Sequence, residues 1–280
     1  MQWLRRLLQR HTRQIPDLLW RTCVARLPFL QRLPEHELSR LKVQAETLLA
    51  TKPVTAANGL ELTDEMAVLI AAQACLLTLN LTLDLYDDMV GVIVYPSAFI
   101  VPQNEMDAAG VVHEWHEPLS GEALQAGGAV VLSWEDAASA VESAGGHNLV
   151  IHEFAHKVDM GRGAANGCPP FLARYHGGME VRLWQQAFSA AYADFIRRVD
   201  ALDGQLPSDF NPDRPADAAH FAGLSAALPL DPYAATHPAE FFAVASEAFF
   251  VLPQPLSINY PDVYELLVRY YRQNPMTRGE

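Results

Sequence analysis

His152-Glu153-Phe154-Ala155-His156, led into by Asn148-Leu149-Val150-Ile151, is the stretch on which the reading of this chain turns. On an α-helix, residues four apart lie about 40° apart around the axis and about 6 Å along it. Both imidazoles therefore leave one face, close enough to share a metal ion. Glu153 sits one step around, where its carboxylate reaches an activated water without itself being a ligand. Two neutral nitrogen ligands, an open coordination position and a neighbouring base are what a hydrolytic zinc centre requires. The bland alternative for the same five residues is a buried helix with two hydrogen-bonded histidines and a surface glutamate.

The rest of the chain permits such a site and narrows its class. With 280 residues, half of them apolar and 19% charged, the protein can bury a sizeable core as one or two domains. Cys23, Cys75 and Cys168 are widely spaced, odd in number and form no CxxC pair. Neither a disulfide framework nor a cysteine zinc site is indicated, and a reducing cytoplasm is the expected compartment. Residues 1–20 carry arginines but no unbroken apolar run of signal-peptide length. The most apolar segment, Met66 to Leu79, is too short to span a bilayer and contains Gln73, so it is expected to be a core helix and no membrane partner is expected.

The net charge of −13 is unevenly spread. Residues 1–52 carry ten Lys/Arg against four Asp/Glu, a net of +6, whereas residues 53–280 carry a net of −19. An acidic body argues against nucleic-acid binding, which needs a concentrated basic face. The expected organisation is a basic helical segment, 1–52, packed on a catalytic domain, 53–280. Trp3, Leu4, Leu7 and Leu8 keep helical spacing with Arg5, Arg6 and Arg10 opposite. Glu35 to Leu49 reads as a second helix after Pro34, and Thr63 as the N-cap of the Met66 helix. Strand-like runs follow at 91–95, 98–101, 111–117 and 129–134. Helices return with the HExxH segment, Met179 to Val199, Pro238 to Phe250 and Pro261 to Gln273. Residues 201–232, with five prolines, read as a long surface loop carrying at most one short helix around Ala218 to Leu228. The order predicts a predominantly helical α+β fold with a small sheet lying over the metal helix.

Two histidines need a third protein ligand, with water in the fourth position. The HExxHxxGxxH continuation is absent, because Asp159 and Arg162 stand at its Gly and His positions. A downstream glutamate remains: Glu180, 24 residues after His156, or one of Glu240 and Glu247 on an unusually apolar helix opened by Pro238. Two carboxylates on one face of such a helix are costly without compensating charge. Spacing leaves Glu180 and the Glu240 helix both open.

The segments His152-Glu-Phe-Ala-His-Lys-Val-Asp159 and Tyr233-Ala-Ala-Thr-x-Pro-Ala-Glu240-Phe-Phe-Ala-x-x-Ser-Glu247-x-Phe-Phe resemble the Mlc titration factor A family of zinc metallopeptidases. The resemblance extends through Val92-Ile-Val-Tyr-Pro-Ser-Ala-Phe-Ile and Val130-Val-Leu-Ser-Trp, covering about residues 20–272. The helix and tyrosine pattern is also similar to the catalytic domain of anthrax lethal factor. The resemblance implies a zincin-like, gluzincin-type site with one Zn2+ per chain. Carried over by position, it makes His152, His156 and Glu240 the ligands, Glu153 the general base and Tyr233 an active-site hydroxyl. It further implies a cytoplasmic peptidase with aminopeptidase-type activity on small peptide substrates, and binding of an Mlc-type transcriptional repressor in some members. The chain departs from the pattern in residues 201–232, which puts substrate access and the repressor contact in question.

Other residues have two readings each. Asp159 and Glu247 could each accept an imidazole N–H and fix a ligand's tautomer; Asp159 reads equally as a helix-surface carboxylate. His113 and His116 alternate along a strand and so face opposite ways, which disfavours a second metal site. His147 and His237 lie near the motifs and read as substrate contacts or, more commonly for single histidines, as structural, and the Phe241-Phe242 and Phe249-Phe250 pairs read as core. An extended substrate is expected along an edge strand drawn from 111–117 or 129–134. The rival functional reading is a regulatory binding protein that sequesters a transcription factor, with weak or incidental peptidase activity; an intact Glu153 and Tyr233 favour the enzyme.

Overall fold

A computed structural model describes residues 14–277 apart from 98, 101–102, 107–111, 116–117, 120, 124–127, 143–145 and 162. The arginine-rich helix expected near Trp3 lies outside the described residues. Helices α1 (Asp17–Ala25), α2 (Pro28–Gln31) and α3 (Glu35–Thr51) come first, followed by strand β1 (Val54–Ala56) and helix α4 (Asp64–Thr78). Thr63 caps α4 by accepting from the Met66 amide at 3.2 Å. Every α4 residue from Met66 to Thr78 is buried, so the helix is apolar all round because it is surrounded by protein. Helices α1 and α3 pack on α4 and share its core through Cys23, Leu41, Ala45 and Leu48. Arg26 is paired with Glu65, and Lys52 donates to the carbonyls of Asp87 and Met89.

Strand β2 (Val92–Tyr95) pairs in parallel with β1, Val54 opposite Val92, and with β8 (Val130–Ser133), Val92 opposite Val130. Strand β7 (Gly121–Ala123) pairs antiparallel with the far side of β8 and ends the sheet, giving the order β1-β2-β8-β7. Between β2 and β7 lie two short antiparallel pairs. Strand β3 (Phe99–Ile100) pairs with β6 (Pro118–Leu119), and β4 (Gln103–Met106) with β5 (Val112–Trp115). All four residues of β8 are buried, as expected for an interior strand covered on both faces. The expectation that residues 129–134 supply an edge strand is therefore corrected: β8 has a neighbour on each side, and β7 is the edge beside the metal helix.

Helix α5 (Trp134–Glu142) leads to the metal helix α6 (Leu149–Asp159), which packs against β7, β8, α4 and the later helix α9. Helix α7 (Val181–Asp203) runs four residues beyond the expected Val199 and lays Trp184, Phe188 and Phe195 on the core. Residues 201–232 are less loop-like than their prolines imply. Helix α8 (Pro215–Ser225) starts at Pro215, which suits the first helical position, and its first turn is fastened by Arg214 paired with Asp217 at 2.8 Å. No α8 residue is buried, so this stretch is a surface feature as expected. A 3-10 turn (Pro232–Ala235) precedes α9 (Pro238–Val251), and α10 (Pro253–Asn259) and α11 (Pro261–Tyr271) close the fold. Phe241 and Phe242 pack among Trp184, Phe188 and Phe195, while Phe249 and Phe250 pack on Tyr264 and Tyr271, so both pairs are core. No described helix is long and apolar enough to cross a membrane.

Candidate metal centre

The metal helix begins at a side-chain cap: Asn148 Oδ1 accepts from the Ile151 amide at 2.9 Å. From there every residue to Asp159 is buried, and the imidazoles of His152 and His156 project side by side. Helix α9 packs on this face and brings Glu240, in its first turn, to both rings. The Nε2 atoms of the two histidines are 3.1 Å apart, and Oε2 of Glu240 lies 3.0 Å from one and 3.1 Å from the other. The three donor atoms thus form a nearly equilateral triangle. Three ligands held about 2.0–2.1 Å from one tetrahedral zinc would stand about 3.3 Å apart, so the triangle fits a zinc ion with little adjustment.

The donor set itself calls for a cation. Oε1 of Glu247 is 2.6 Å from Nδ1 of His152, so that nitrogen carries a proton, and in its neutral, metal-binding form the ring turns a lone pair at Nε2 toward the other two donors. Three converging lone-pair donors in a buried place repel one another unless a positive charge lies among them. Burial acts to raise the Glu240 carboxyl, but the His152 and His156 rings beside it outweigh burial and lower it. Burial likewise acts to raise Glu247, yet the His152 and His147 rings bring it below the usual carboxylate range. The cluster of His152, His156 and Glu240 is a site suited to one zinc ion per chain.

Glu153 is 4% exposed and bonds neither donor nitrogen in the metal triangle. Burial raises its carboxyl, and the two neighbouring imidazoles only partly oppose the rise. Tyr233 sits on the 3-10 turn, whose first amide bond is made by Asp231 Oδ1 at 2.9 Å. Its ring centre is 6.0 Å from that of His152 and half of the residue is exposed, at the mouth of the site. Glu180, the competing third ligand, is the exposed N-cap residue of α7 and takes no part in the cluster.

Of the two expected supporting carboxylates, Glu247 takes the role and Asp159 does not. Asp159 Oδ2 accepts from the amides of Asn166 and Gly167 at 2.7 and 2.6 Å, while its Oδ1 and the Nδ1 of His156 are both buried without a hydrogen-bond partner. Its work is to fasten the 166–168 loop. Gly167, at φ +81°, presses that loop on the start of α9, where a Cβ would come 2.5 Å from the Pro238 carbonyl oxygen. The end of the metal helix is thereby tied to the beginning of the Glu240 helix. His237 is structural, its Nδ1 accepting from the Ala239 amide as the cap of α9. His147 lies 3.2 Å from Glu247. His113 falls in β5 and His116 outside the described residues.

Two positioning residues escaped the sequence reading. Asn148 does more than cap: its amide donates to Glu247 Oε2 at 2.6 Å and its Nδ2 donates to Gln73 Oε1 at 2.7 Å. Gln73, in the all-buried α4, donates in turn to the Leu69 carbonyl. A polar residue inside an otherwise apolar helix was the available signal, but its partner lies 75 residues away.

Comparison with known proteins agrees with this geometry. The chain is 34% identical over 252 residues to an uncharacterized protein of Synechocystis sp., covering 90% of this chain and 82% of that one. It is 33% identical over 260 residues to Mlc titration factor A of Serratia proteamaculans, covering 92% and 88%. It is 35% identical over 253 residues to Mlc titration factor A of Yersinia pestis, covering 90% and 83%. The profile of the glucose-regulated metallopeptidase M90 family matches residues 1–272, which take in the whole HExxH helix and the Glu240 helix. With that match and the His152, His156 and Glu240 cluster in place, the chain belongs to the M90 family of zinc metallopeptidases and is homologous to Mlc titration factor A.

Proposed function

We propose that the protein hydrolyses peptide bonds by zinc-assisted attack of water, acting as an aminopeptidase on small substrates. The observation that carries this reading is the 3.0–3.1 Å triangle of His152, His156 and Glu240 with the buried Glu153 beside it. Bound zinc would acidify a water and polarise the scissile carbonyl. Glu153 takes the proton of the attacking water and delivers it to the leaving amine, a task suited to a carboxyl whose pKa burial has raised. Tyr233 donates a hydrogen bond to the developing oxyanion. Glu247 keeps His152 in the tautomer that presents Nε2. The substrate lies extended along β7, the edge of the sheet next to the metal helix, and bonds to its main chain. A panel of aminoacyl chromogenic substrates, assayed with and without a chelator, tests this; chelator-insensitive cleavage, or no cleavage of any member, would refute it.

A regulatory role accompanies the activity. Two of the relatives carry the name Mlc titration factor A, and this supports binding of an Mlc-type repressor. Pull-down of a purified repressor of that class by the metal-loaded protein is the test. The three free cysteines support a cytoplasmic location.

A further inference from the structure

Two hydrogen bonds leave one face of α7 and end on the two loops that lie before the Glu240 helix. Trp184 Nε1 donates to the Gly167 carbonyl at 2.8 Å, and the Tyr192 hydroxyl donates to the Ala235 carbonyl at 3.0 Å. Trp184, Phe188 and Tyr192 are spaced four apart, so they share a helical face, and the two donor residues stand about 12 Å apart along the axis. The first bond reaches the loop that Asp159 fastens to the end of the metal helix. The second reaches the 3-10 turn Pro232–Ala235, which carries Tyr233. Helix α7 packs on both that turn and α9.

The shape of the turn and its place have different sources. Asp231 Oδ1 accepts from the Tyr233 amide, and Thr236 Oγ1 donates to the Tyr233 carbonyl at 2.8 Å. These bonds close the turn on itself and leave its distance from the metal helix open. Tyr233 is 51% exposed, so packing restrains its side chain weakly. Between the two tie points on α7 lies a cavity of about 410 Å³, lined by Gly167, Trp184, Ser189, Tyr192 and Pro238. Close packing is interrupted there, and more of the restraint falls to the hydrogen bonds. The Tyr192 ring is seated edge to face on Phe241, the neighbour of Glu240, with ring centres 5.8 Å apart. One side chain thus touches both the helix that supplies Glu240 and the turn that supplies Tyr233.

We propose that Tyr192 is a positioning residue, whose bond to the Ala235 carbonyl holds the Tyr233 turn in register with the metal triangle. The proposal rests on the peptidase reading above, which gives the Tyr233 hydroxyl its role, and adds how that hydroxyl is placed. Misplacing a reacting group by about 1 Å can cost about a hundredfold in rate. A bond that sets the position of an otherwise exposed turn therefore bears on the chemistry more than on folding.

Tyr192→Phe tests it, because the change removes the hydroxyl and keeps the ring on Phe241. Hydrogen exchange of the metal-free protein, read by mass spectrometry, needs no turnover. Peptides covering residues 231–236 should exchange roughly tenfold faster in the variant, as a locally loosened segment does, with the metal helix unchanged. In steady-state assays of the zinc-loaded protein, kcat should fall roughly tenfold with KM and zinc affinity unaltered. In a Tyr233→Phe background the same change should alter kcat by less than about twofold, because the hydroxyl it places is already gone. A residue that only stabilised the fold would slow both backgrounds alike. Unchanged exchange across 231–236, or an equal loss of kcat in the two backgrounds, would overturn the proposal. The two failures separate. Normal kcat in Tyr192→Phe removes the positioning role and leaves the peptidase. Faster exchange in the turn, with no hydrolysis of any peptide by the unaltered chain, keeps the brace and removes the peptidase.

Discussion

Oε1 of Glu247 stands 2.6 Å from Nδ1 of His152, on the ring nitrogen opposite the one that faces Glu240 and His156. The contact turns a second carboxylate on α9 from a burial cost into an orienting device, since it fixes which nitrogen can bind metal. Glu247→Ala should therefore keep the zinc site but weaken it roughly tenfold to hundredfold, the usual effect of such partners. Competition with a chromogenic zinc chelator measures this. Undiminished affinity would show that His152 needs no orienting partner.

Asn148→Ala should destabilise the protein with or without metal. It removes the cap of α6, worth about 1 kcal/mol, and leaves Gln73 Oε1 buried without its donor, about 1–3 kcal/mol more. Urea unfolding of metal-free protein should register a loss of about 2–4 kcal/mol, the sum of those two effects. A change smaller than about 0.5 kcal/mol, within the range of ordinary surface substitutions, would deny the residue its linking role.

How much of this was legible in the sequence depended on whether the signal was local. The α6 motif, the Thr63 cap and the apolar α4 were readable because helical spacing and capping act within a few residues. The third ligand was not, since Glu180 and Glu240 differ only in where their helices go in space; resemblance, not spacing, favoured Glu240. The two readings of Asp159 stayed level for the same reason, since the amides that its Oδ2 accepts from belong to a loop seven and eight residues later. Of the two alternatives for the edge strand, 129–134 was misplaced, because β-rich composition marks it as a strand without saying that β2 and β7 flank it. The short helix allowed around Ala218 to Leu228 was placed three residues late, because Pro215 starts a helix as readily as it ends one.

Glu153→Ala should bind zinc as tightly as the unaltered protein and melt at a similar temperature, yet lose hydrolysis by orders of magnitude. The side chain supplies a path for a proton and no coordination bond. Steady-state assays beside zinc titration check both halves, and near-normal turnover in this variant would rule out the proposed chemistry.

Tyr233→Phe should retain zinc and slow turnover by an amount corresponding to about 3 kcal/mol, as deletion of an oxyanion donor does elsewhere. Half-exposed and outside the metal triangle, the residue contributes little to stability. The loss should appear in kcat with KM little changed, because the hydrogen bond strengthens only as charge develops. A rise in KM alone would make Tyr233 a substrate-binding residue instead.

The account stands on three side chains from two helices holding one zinc ion, and zinc titration of matched variants tests that most directly. The unaltered chain and Glu180→Ala should each take up one equivalent with the same affinity, because Glu180 is an exposed cap on α7. Glu240→Ala should lose most of its affinity, because one of the three donors at 3.0–3.1 Å is gone. No zinc uptake by the unaltered chain, or a large loss in Glu180→Ala with Glu240→Ala unaffected, would contradict it.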